Sequence, residues 1–248
     1  MILNPIRKVL SSMRTHRVKC LLMGGQACVL YGAAEFSRDI DFVLFCDPEN
    51  LRCLQDAVRE LEAEVIAVPP FQIDFLQRGH AVHFRCQHPD CKGLRVDVMA
   101  KMRGVDDFML LWNRRTTIEI HDGDRIEVMS LPDFIRAKKT QRDKDWPMIR
   151  RLVEAHFFQH RHQSDLQKET FWLNELRTPA LLLEVLAQCK PMSASLKPSR
   201  KWLVTTKDLD ETKIEQELKR EEESEREEDR TYWLPLKNEL ELLRHQRT

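Results

Sequence analysis

Three aspartates are the residues of this chain best suited to metal chemistry. Asp39 and Asp41 flank Ile40 in an apolar stretch, and Asp97 lies within the run Leu94–Met99. Because successive side chains of a strand point to opposite faces, Asp39 and Asp41 share one face if this stretch is a strand. Two carboxylates so close repel each other unless a cation lies between them. The spacing therefore predicts a site for Mg²⁺, which prefers carboxylate oxygens and substrate phosphates.

Asp97 is expected to complete this metal site. In its run, Leu94, Val96 and Val98 share one face of a strand, and Asp97 shares the other face with Arg95. If this strand lies beside the one that carries the first two aspartates, the three acids converge and can hold two metal ions roughly 3.5–4 Å apart. Such a pair of ions clamps the entering and leaving oxygens of an in-line displacement. A simpler interpretation also stands, in which Arg95 only pairs with Asp97 on the surface.

Two glycines and a serine accompany the first pair of aspartates. Gly24 and Gly25 precede them, and without a Cβ their backbone can approach a triphosphate closely. A helix over residues 26–31 would offer free N–H groups and its positive dipole end to the same anion. Ser37 is a possible additional phosphate contact. The alternative for the glycine pair is an ordinary turn.

A basic segment follows later in the chain. Lys138, Lys139 and Arg142 are expected on a helix, where Lys138 and Arg142 are four positions apart and share one face. They could neutralise the charge that develops on a transferring phosphate, or they form a solvated basic face. Asp145 is interpreted as the N-cap of the next helix.

Histidine and cysteine residues between positions 83 and 91 suggest a zinc site. Their spacing is compressed, however, and His83 and Cys86 would point to opposite faces of one strand. Zinc requires tetrahedral convergence, which disfavours this interpretation. The chain has seven cysteines in total, an odd number in a protein too long to need disulfides, so free thiols are expected.

Apolar periodicity and turn residues predict the elements that position these groups. Strands are expected at residues 18–22, 40–45, 80–86, 94–99 and 125–128. Helices are expected from 48 to 64 with Asp47 as N-cap, from 131 to 141, from 145 to 158 and from 179 to 188. Alternating strands and helices of this kind indicate an α/β protein, in stricter terms α+β. It would consist of a small mixed sheet with helices mainly on one face, followed by a helical C-terminal part.

The composition of the chain predicts three regions. Residues 1–160 are expected to form the domain that carries the three aspartates, 161–207 a helical and irregular extension with 191–206 irregular, and 208–248 a charged helical or disordered tail. Residues 210–230 contain eleven acidic and five basic residues, a net charge of −6. With few apolar residues, this segment is expected to be a solvated helix or a disordered arm that is dispensable for folding and chemistry, and Pro235 is expected to interrupt whatever follows.

The quoted pieces together resemble a known family. The order GGQACVLYGAAEFSRDIDFVL, then LRVDVM, then LPDFIRAKKTQRDKDWPMIRRLVE is similar to the polymerase β-type nucleotidyltransferase superfamily. The resemblance covers about residues 15–158 and is closest to small bacterial members, among them aminoglycoside nucleotidyltransferases and nucleotidyltransferase components of toxin–antitoxin systems. It implies transfer of a nucleoside monophosphate from an NTP to a hydroxyl with Mg²⁺. In that picture Asp39, Asp41 and Asp97 hold the metals.

The overall charge adds one constraint. The 248 residues have a formal net charge of zero, so any site for an anionic ligand must be local. No apolar run has the length of a signal core or a membrane span, and a cytoplasmic protein without a membrane partner is therefore expected.

Two functional alternatives stand beside the transferase. One is a catalytically inactive binding protein of the same fold, or a toxin–antitoxin component. The other is an interaction protein that binds a basic partner through its acidic tail. For the transferase, the acceptor hydroxyl is open among a small molecule, an RNA end and a protein side chain, and ATP is one of several possible donors.

Overall fold

A computed structural model of the chain describes residues 4–34, 36–120, 123–188, 198–205 and 208–246. These residues form two compact units. The first takes the described residues of Met1–Leu30, Ala34–Ala137 and Tyr232–Thr248, and the second takes those of Tyr31–Ala33 and Lys138–Thr231. The division expected at residue 160 falls inside the second unit.

The first unit is built on a seven-stranded mixed sheet. Its strands are β1 (Cys20–Met23), β2 (Asp39–Leu44), β3 (Glu64–Val65), β4 (Val82–Arg85), β5 (Arg95–Met99), β6 (Thr116–Glu119) and β7 (Arg125–Val128). They lie in the order β3-β4-β5-β2-β1-β7-β6. The pairs β2–β5 and β1–β7 are parallel, and the other neighbours are antiparallel. The predicted α+β class is confirmed.

The helices of the first unit follow largely from local signals. They are α1 (Asn4–Thr15), α2 (Gly24–Leu30), α3 (Pro48–Glu60), α4 (Ile73–Arg78), α5 (Phe108–Arg114) and α6 (Leu131–Lys138), the last residue of which belongs to the second unit. The predicted cap of α3 is confirmed, because the Asp47 carboxylate accepts hydrogen bonds from the backbone N–H groups of Glu49 and Asn50. Helix α1 packs against α3, and α2 packs against β1 and β2.

Strand β2 positions the predicted aspartates by its alternation. Ile40 is fully buried, while Asp39 and Asp41 on either side of it are half-buried on the opposite face. The apolar face of the strand thus anchors it in the core, and the acidic face is left for chemistry.

The second unit is helical. It contains α7 (Asp145–His160), α8 (Leu166–Glu175), α9 (Pro179–Gln188), α10 (Trp202–Thr205) and the larger part of α11 (Glu211–His245), which from Tyr232 onward belongs to the first unit. Helix α8 packs against both α7 and α9. Of the stretch 191–206 that the sequence predicts to be irregular, residues 191–197 and 206 lie outside the described residues. None of the described helices is both long and apolar enough to cross a membrane.

The prediction for the acidic segment is wrong in one respect. Residues 211–230 are a continuous helical stretch, and Ile214 and Leu218 are only 0% and 4% exposed. In addition, Glu221 pairs with the guanidinium groups of the buried Arg177 and Arg200. This segment is therefore helical, as one of the two expectations had it, but it packs within the folded second unit and is not wholly solvated.

Pro235 does not interrupt the chain, contrary to expectation. It lies inside α11, which continues to His245. The residues that follow it are held in place within the first unit, because Leu236 is buried and Glu239 accepts hydrogen bonds from Arg78 and His80 at 2.7 Å each. These contacts offset the backbone donor that proline lacks.

Candidate functional site

Four strands place side chains in one row across a face of the sheet. Asp41 on β2 is in register with Asp97 on parallel β5 and with Met23 on antiparallel β1, and His83 on β4 is in register with Asp97. Neighbouring strands lie about 4.8 Å apart, so Asp41 and Asp97 are direct neighbours. The structure thus fulfils the condition on which the sequence argument depended, namely that the strand of Asp97 lies beside that of Asp41.

Asp39 lies one step further along the same face. Its register partner on β5 is Arg95 and not Asp97. Among the described residues, no three or more His, Cys, Asp or Glu side chains gather closely enough to form a ready metal cluster. The centre of the candidate site is therefore the pair Asp41 and Asp97, with Asp39 beside it.

Asp97 is held by two neighbours on that face. Arg95 donates from Nε to Asp97 Oδ1 at 2.7 Å, and His83 Nδ1 lies 2.9 Å from the same oxygen. Burial by itself raises the pKa of the Asp97 carboxyl, but the hydrogen bonds and charges of His83 and Arg95 outweigh burial, and the net pKa is below the usual value. The pairing of Asp97 with Arg95, left open from the sequence, is confirmed, and the carboxylate is ionised.

The two glycines are needed where they stand because side chains occupy the space beside them. A Cβ on Gly24 would lie 1.8 Å from Asp41 Oδ2, and its φ of +65° is a left-handed conformation that disfavours other residues. A Cβ on Gly25 would lie 2.1 Å from Ser37 Oγ. Helix α2 begins at Gly24 itself and not at residue 26 as predicted. The structure therefore brings Gly24 to Asp41, and Gly25 to Ser37.

Gln26 is part of this arrangement and was missed in the sequence. Its side chain is buried, and its Nε2 donates to the carbonyl oxygen of Ser37 at 3.0 Å. Ser37 Oγ in turn donates to the carbonyl oxygen of Asp39 at 3.2 Å. These bonds fix the loop that enters β2. The sequence feature that could have identified Gln26 is its polar side chain in a short, otherwise apolar helix that follows the glycine pair.

The predicted basic residues Lys138 and Arg142 lie in the second unit around a single carboxylate. Asp145 Oδ1 is 3.1 Å from Lys138 Nζ, and Asp145 Oδ2 accepts from Arg142 Nε at 2.7 Å and from Thr140 Oγ1 at 2.6 Å. Burial raises the pKa of Asp145, but these partners outweigh burial and lower it overall. Lys139 is 3.0 Å from Glu175 Oε2.

Two details of that prediction are wrong. Helix α6 ends at Lys138, so Arg142 lies in the connection to α7 and does not share a helix face with Lys138. Asp145 is already inside α7, and Lys144 occupies the cap position without a side-chain hydrogen bond. The physical reason is that the buried Asp145 draws Lys138, Thr140 and Arg142 into a turn around its two oxygens.

The cysteines between β4 and β5 show no arrangement for zinc. Cys86 and Cys91 are buried beside each other, and burial raises the pKa of the Cys86 thiol to about 12. His83 is directed instead to Asp97 and Arg95. The six cysteines within the described residues are free thiols, as expected, and Cys189 lies outside them.

The comparisons with known proteins add no relative. The chain matches no protein-family model, and no curated protein is significantly similar to it.

Proposed function

We propose that this protein is a Mg²⁺-dependent nucleotidyltransferase that moves a nucleoside monophosphate from an NTP to an acceptor hydroxyl. The observation that carries the proposal is the register of Asp41 with Asp97 on parallel neighbouring strands, with Gly24 packed directly on the Asp41 carboxylate. Two half-buried carboxylates beside a glycine-lined backbone form a surface where a cation and a phosphate can meet.

The donor set fits a hard divalent ion. Asp41 and Asp97 offer carboxylate oxygens from adjacent strands, Asp39 adds a third acid on the same face, and Mg²⁺ prefers such oxygens. When bound, the ion would polarise the phosphoryl group and neutralise its charge. Asp39 and Asp41 would hold the ion that carries the triphosphate, and Asp97 would help to hold the ion beside the acceptor hydroxyl.

Other residues of the chain serve to position the phosphates. Gly24 and Gly25 bring the backbone of the first turn of α2 against Asp41 and Ser37, and in the proposed site this backbone would face the triphosphate. Ser37 lies against Gly25 and is a further proposed contact. Lys138 and Arg142 are held by Asp145 within the second unit and are not part of this proposal.

A ligand-stabilisation experiment tests the binding half of this proposal. The melting temperature is measured with ATP, GTP, CTP and UTP, each with and without Mg²⁺, because a ligand selective for the folded state must raise it. We expect a rise with at least one NTP that depends on Mg²⁺. No rise with any NTP at millimolar concentration would contradict the proposal.

A labelling experiment then identifies the acceptor. The protein is incubated with Mg²⁺, a cell extract and each NTP labelled in its α-phosphate, and the labelled molecule is isolated. The matched control is the Asp41→Asn protein, which retains the shape of the side chain but removes a charged ligand. Label that appears equally with both proteins does not come from the proposed site.

One observation favours a second candidate, a protein that binds a nucleotide without transferring it. Arg95 and His83 both contact Asp97 Oδ1, so this acid is already partly neutralised by the chain itself. Such a protein would be stabilised by Mg²⁺ and an NTP and would label no acceptor. This outcome separates the inactive alternative from the transferase.

A further inference from the structure

His83 reaches the candidate site from the neighbouring antiparallel strand. Its Nδ1 lies 2.9 Å from Asp97 Oδ1 and 3.0 Å from Arg95 Nη2, and its side chain is 25% exposed. Strands β4 and β5 are paired in register at His83 and Asp97, so the sheet itself fixes this contact. No sequence motif had pointed to His83 in this role.

The contacts of Asp97 are asymmetric. Within the described residues, Arg95 and His83 contact this carboxylate, and both contact its Oδ1. Its Oδ2 is thus the oxygen left for a cation shared with Asp41. Hydrogen-bonded neighbours of this kind orient a ligating carboxylate and tune its affinity for metal.

We propose that His83 is a positioning residue, which holds the Oδ1 side of Asp97 so that Oδ2 is presented to a divalent cation. Nδ1 does this in either proton position. When protonated it donates to Asp97 Oδ1, and when unprotonated it accepts from Arg95 Nη2, which keeps the guanidinium against the same oxygen. The inference rests on the proposed metal site and extends it to a residue on β4.

Two substitutions separate positioning from simple space filling. His83→Phe keeps a planar ring but removes Nδ1, whereas His83→Asn supplies an amide near the position of Nδ1 that can donate or accept. Loss of a residue that orients a metal ligand typically costs about 10- to 100-fold in metal affinity. We therefore expect His83→Phe to raise the Kd for Mn²⁺ by about tenfold or more, and His83→Asn to remain within roughly threefold of the original protein.

The measurement is direct titration of the full-length protein with Mn²⁺, with free Mn²⁺ counted by electron paramagnetic resonance. His88→Phe is the matched control, because His88 lies on the same hairpin with a side chain that is also 25% exposed and does not contact Asp97. It should leave the Kd unchanged. Melting temperatures are recorded for every variant, and His83→Leu replaces His83→Phe if the larger ring prevents folding.

The outcomes distinguish the two levels of the proposal. Weak binding by His83→Phe with recovery by His83→Asn supports the positioning role. Equal Kd values for His83→Phe and the original protein, or equal losses in the Phe and Asn variants, overturn it and leave the metal site standing. If the original protein binds no Mn²⁺ with or without an NTP, the proposed function fails first, and the role of His83 with it.

Discussion

Charged side chains form clusters in two regions of this molecule, and the clusters differ in the solvent exposure of their side chains. On the sheet of the first unit, Asp97 is 14% exposed and its partner Arg95 is 42% exposed. In the second unit, the side chains of Arg177 and Arg200 are only 7% and 4% exposed, and both contact Glu221. The arginine is half-exposed in the first cluster and buried in the second, although Glu221 itself is 20% exposed.

The buried arginines of the second cluster make many hydrogen bonds within the second unit. Arg200 donates from Nε and Nη2 to the two carboxylate oxygens of Glu221, and from Nη1 to the carbonyl oxygens of Leu173 and Leu176. Arg177 donates to Glu221 and to the carbonyl oxygen of Leu218. The Asp97 carboxylate differs, because its contacts from Arg95 and His83 both fall on Oδ1. The comparison indicates that the second cluster stabilises the fold, whereas the first leaves one oxygen, Asp97 Oδ2, to the cation proposed above.

The largest expected effect on stability comes from Glu221→Gln. This change keeps the shape of the side chain but leaves two buried guanidinium groups without their shared counter-charge. Breaking a buried ion pair by removing one partner costs about 3–5 kcal/mol. We expect a loss of that size in the free energy of unfolding, measured by urea denaturation.

Glu227→Gln on the same helix is the control for this change. Glu227 pairs with Arg230 at the surface, where the two side chains are largely exposed. A surface pair contributes about 0–1 kcal/mol, so the control should unfold at nearly the same urea concentration as the original protein. Equal effects of the two substitutions would mean that the buried cluster is not structural.

His156 in the second unit predicts a dependence of stability on pH. Its Nδ1 accepts a hydrogen bond from Trp172 Nε1 at 2.9 Å. Burial lowers its pKa to about 4, with smaller contributions from His160 and Lys168, while Asp165 opposes them. The unfolded chain, with a histidine pKa near 6.5, therefore binds this proton more readily than the folded chain does.

The sign of the effect follows from that difference. Between the unfolded and folded pKa values the unfolded state binds more protons, so the free energy of unfolding falls as the pH is lowered from about 6.5 to about 4. The loss from this residue is on the order of 2–3 kcal/mol. His156→Gln should flatten the urea-unfolding profile in this pH range. An unchanged slope in the variant would assign the acid sensitivity to other groups.

The sequence predicted those parts of the molecule that depend on local signals. The start of α3 follows from Asp47 and Pro48, and strand β7 was predicted with its observed limits, Arg125–Val128. The alternation around Ile40 and the LRVDVM run placed Asp41 and Asp97 on strands that do pair. In each case the residues that decide the structure lie within a few positions of one another.

The rest depends on contacts between distant residues. The packing of one side of 210–230 could not be predicted, because the partners Arg177 and Arg200 of Glu221 lie tens of residues away and the segment itself has few apolar residues. The same holds for His83 beside Asp97, which lie on different strands. Strand β3 has only two residues, too few for a pattern. Helix α8 was missed although Asp165 caps it by accepting from the backbone N–H of Lys168.

Substitutions of Gly24 and Gly25 are expected to have an intermediate effect on stability. Gly24→Ala places a Cβ against Asp41 Oδ2 and forces alanine into a left-handed conformation, for a cost of about 1–3 kcal/mol. Gly25→Ala meets only the side chain of Ser37 below 3.9 Å. Removing that side chain should therefore rescue Gly25→Ala.

The test is a pair of double variants measured by thermal unfolding. Gly25→Ala with Ser37→Gly should be more stable than Gly25→Ala with Ser37 intact. Gly24→Ala with Asp41→Gly should remain destabilised, because the backbone strain at position 24 does not depend on Asp41. Rescue of both glycine substitutions would show that only side-chain space, and not backbone conformation, requires glycine at position 24.

The smallest expected effect on stability is that of Asp41→Asn, although its effect on ligand binding is large. Asp41 is half-buried, and the nearly isosteric substitution removes both the repulsion from Asp97 and the attraction to Arg95, which oppose each other. The free energy of unfolding without metal should therefore change by no more than about 0.5 kcal/mol, as for a surface substitution. With Mn²⁺ present, the original protein gains stability according to its affinity for the ion, and the variant should lose this gain because the ion loses a charged ligand. Glu227→Gln again serves as the control, since it removes one negative charge from the second unit and should keep the full gain. If Asp41→Asn is stabilised by Mn²⁺ as strongly as the original protein, the ion binds elsewhere, and Asp41 is not a metal ligand.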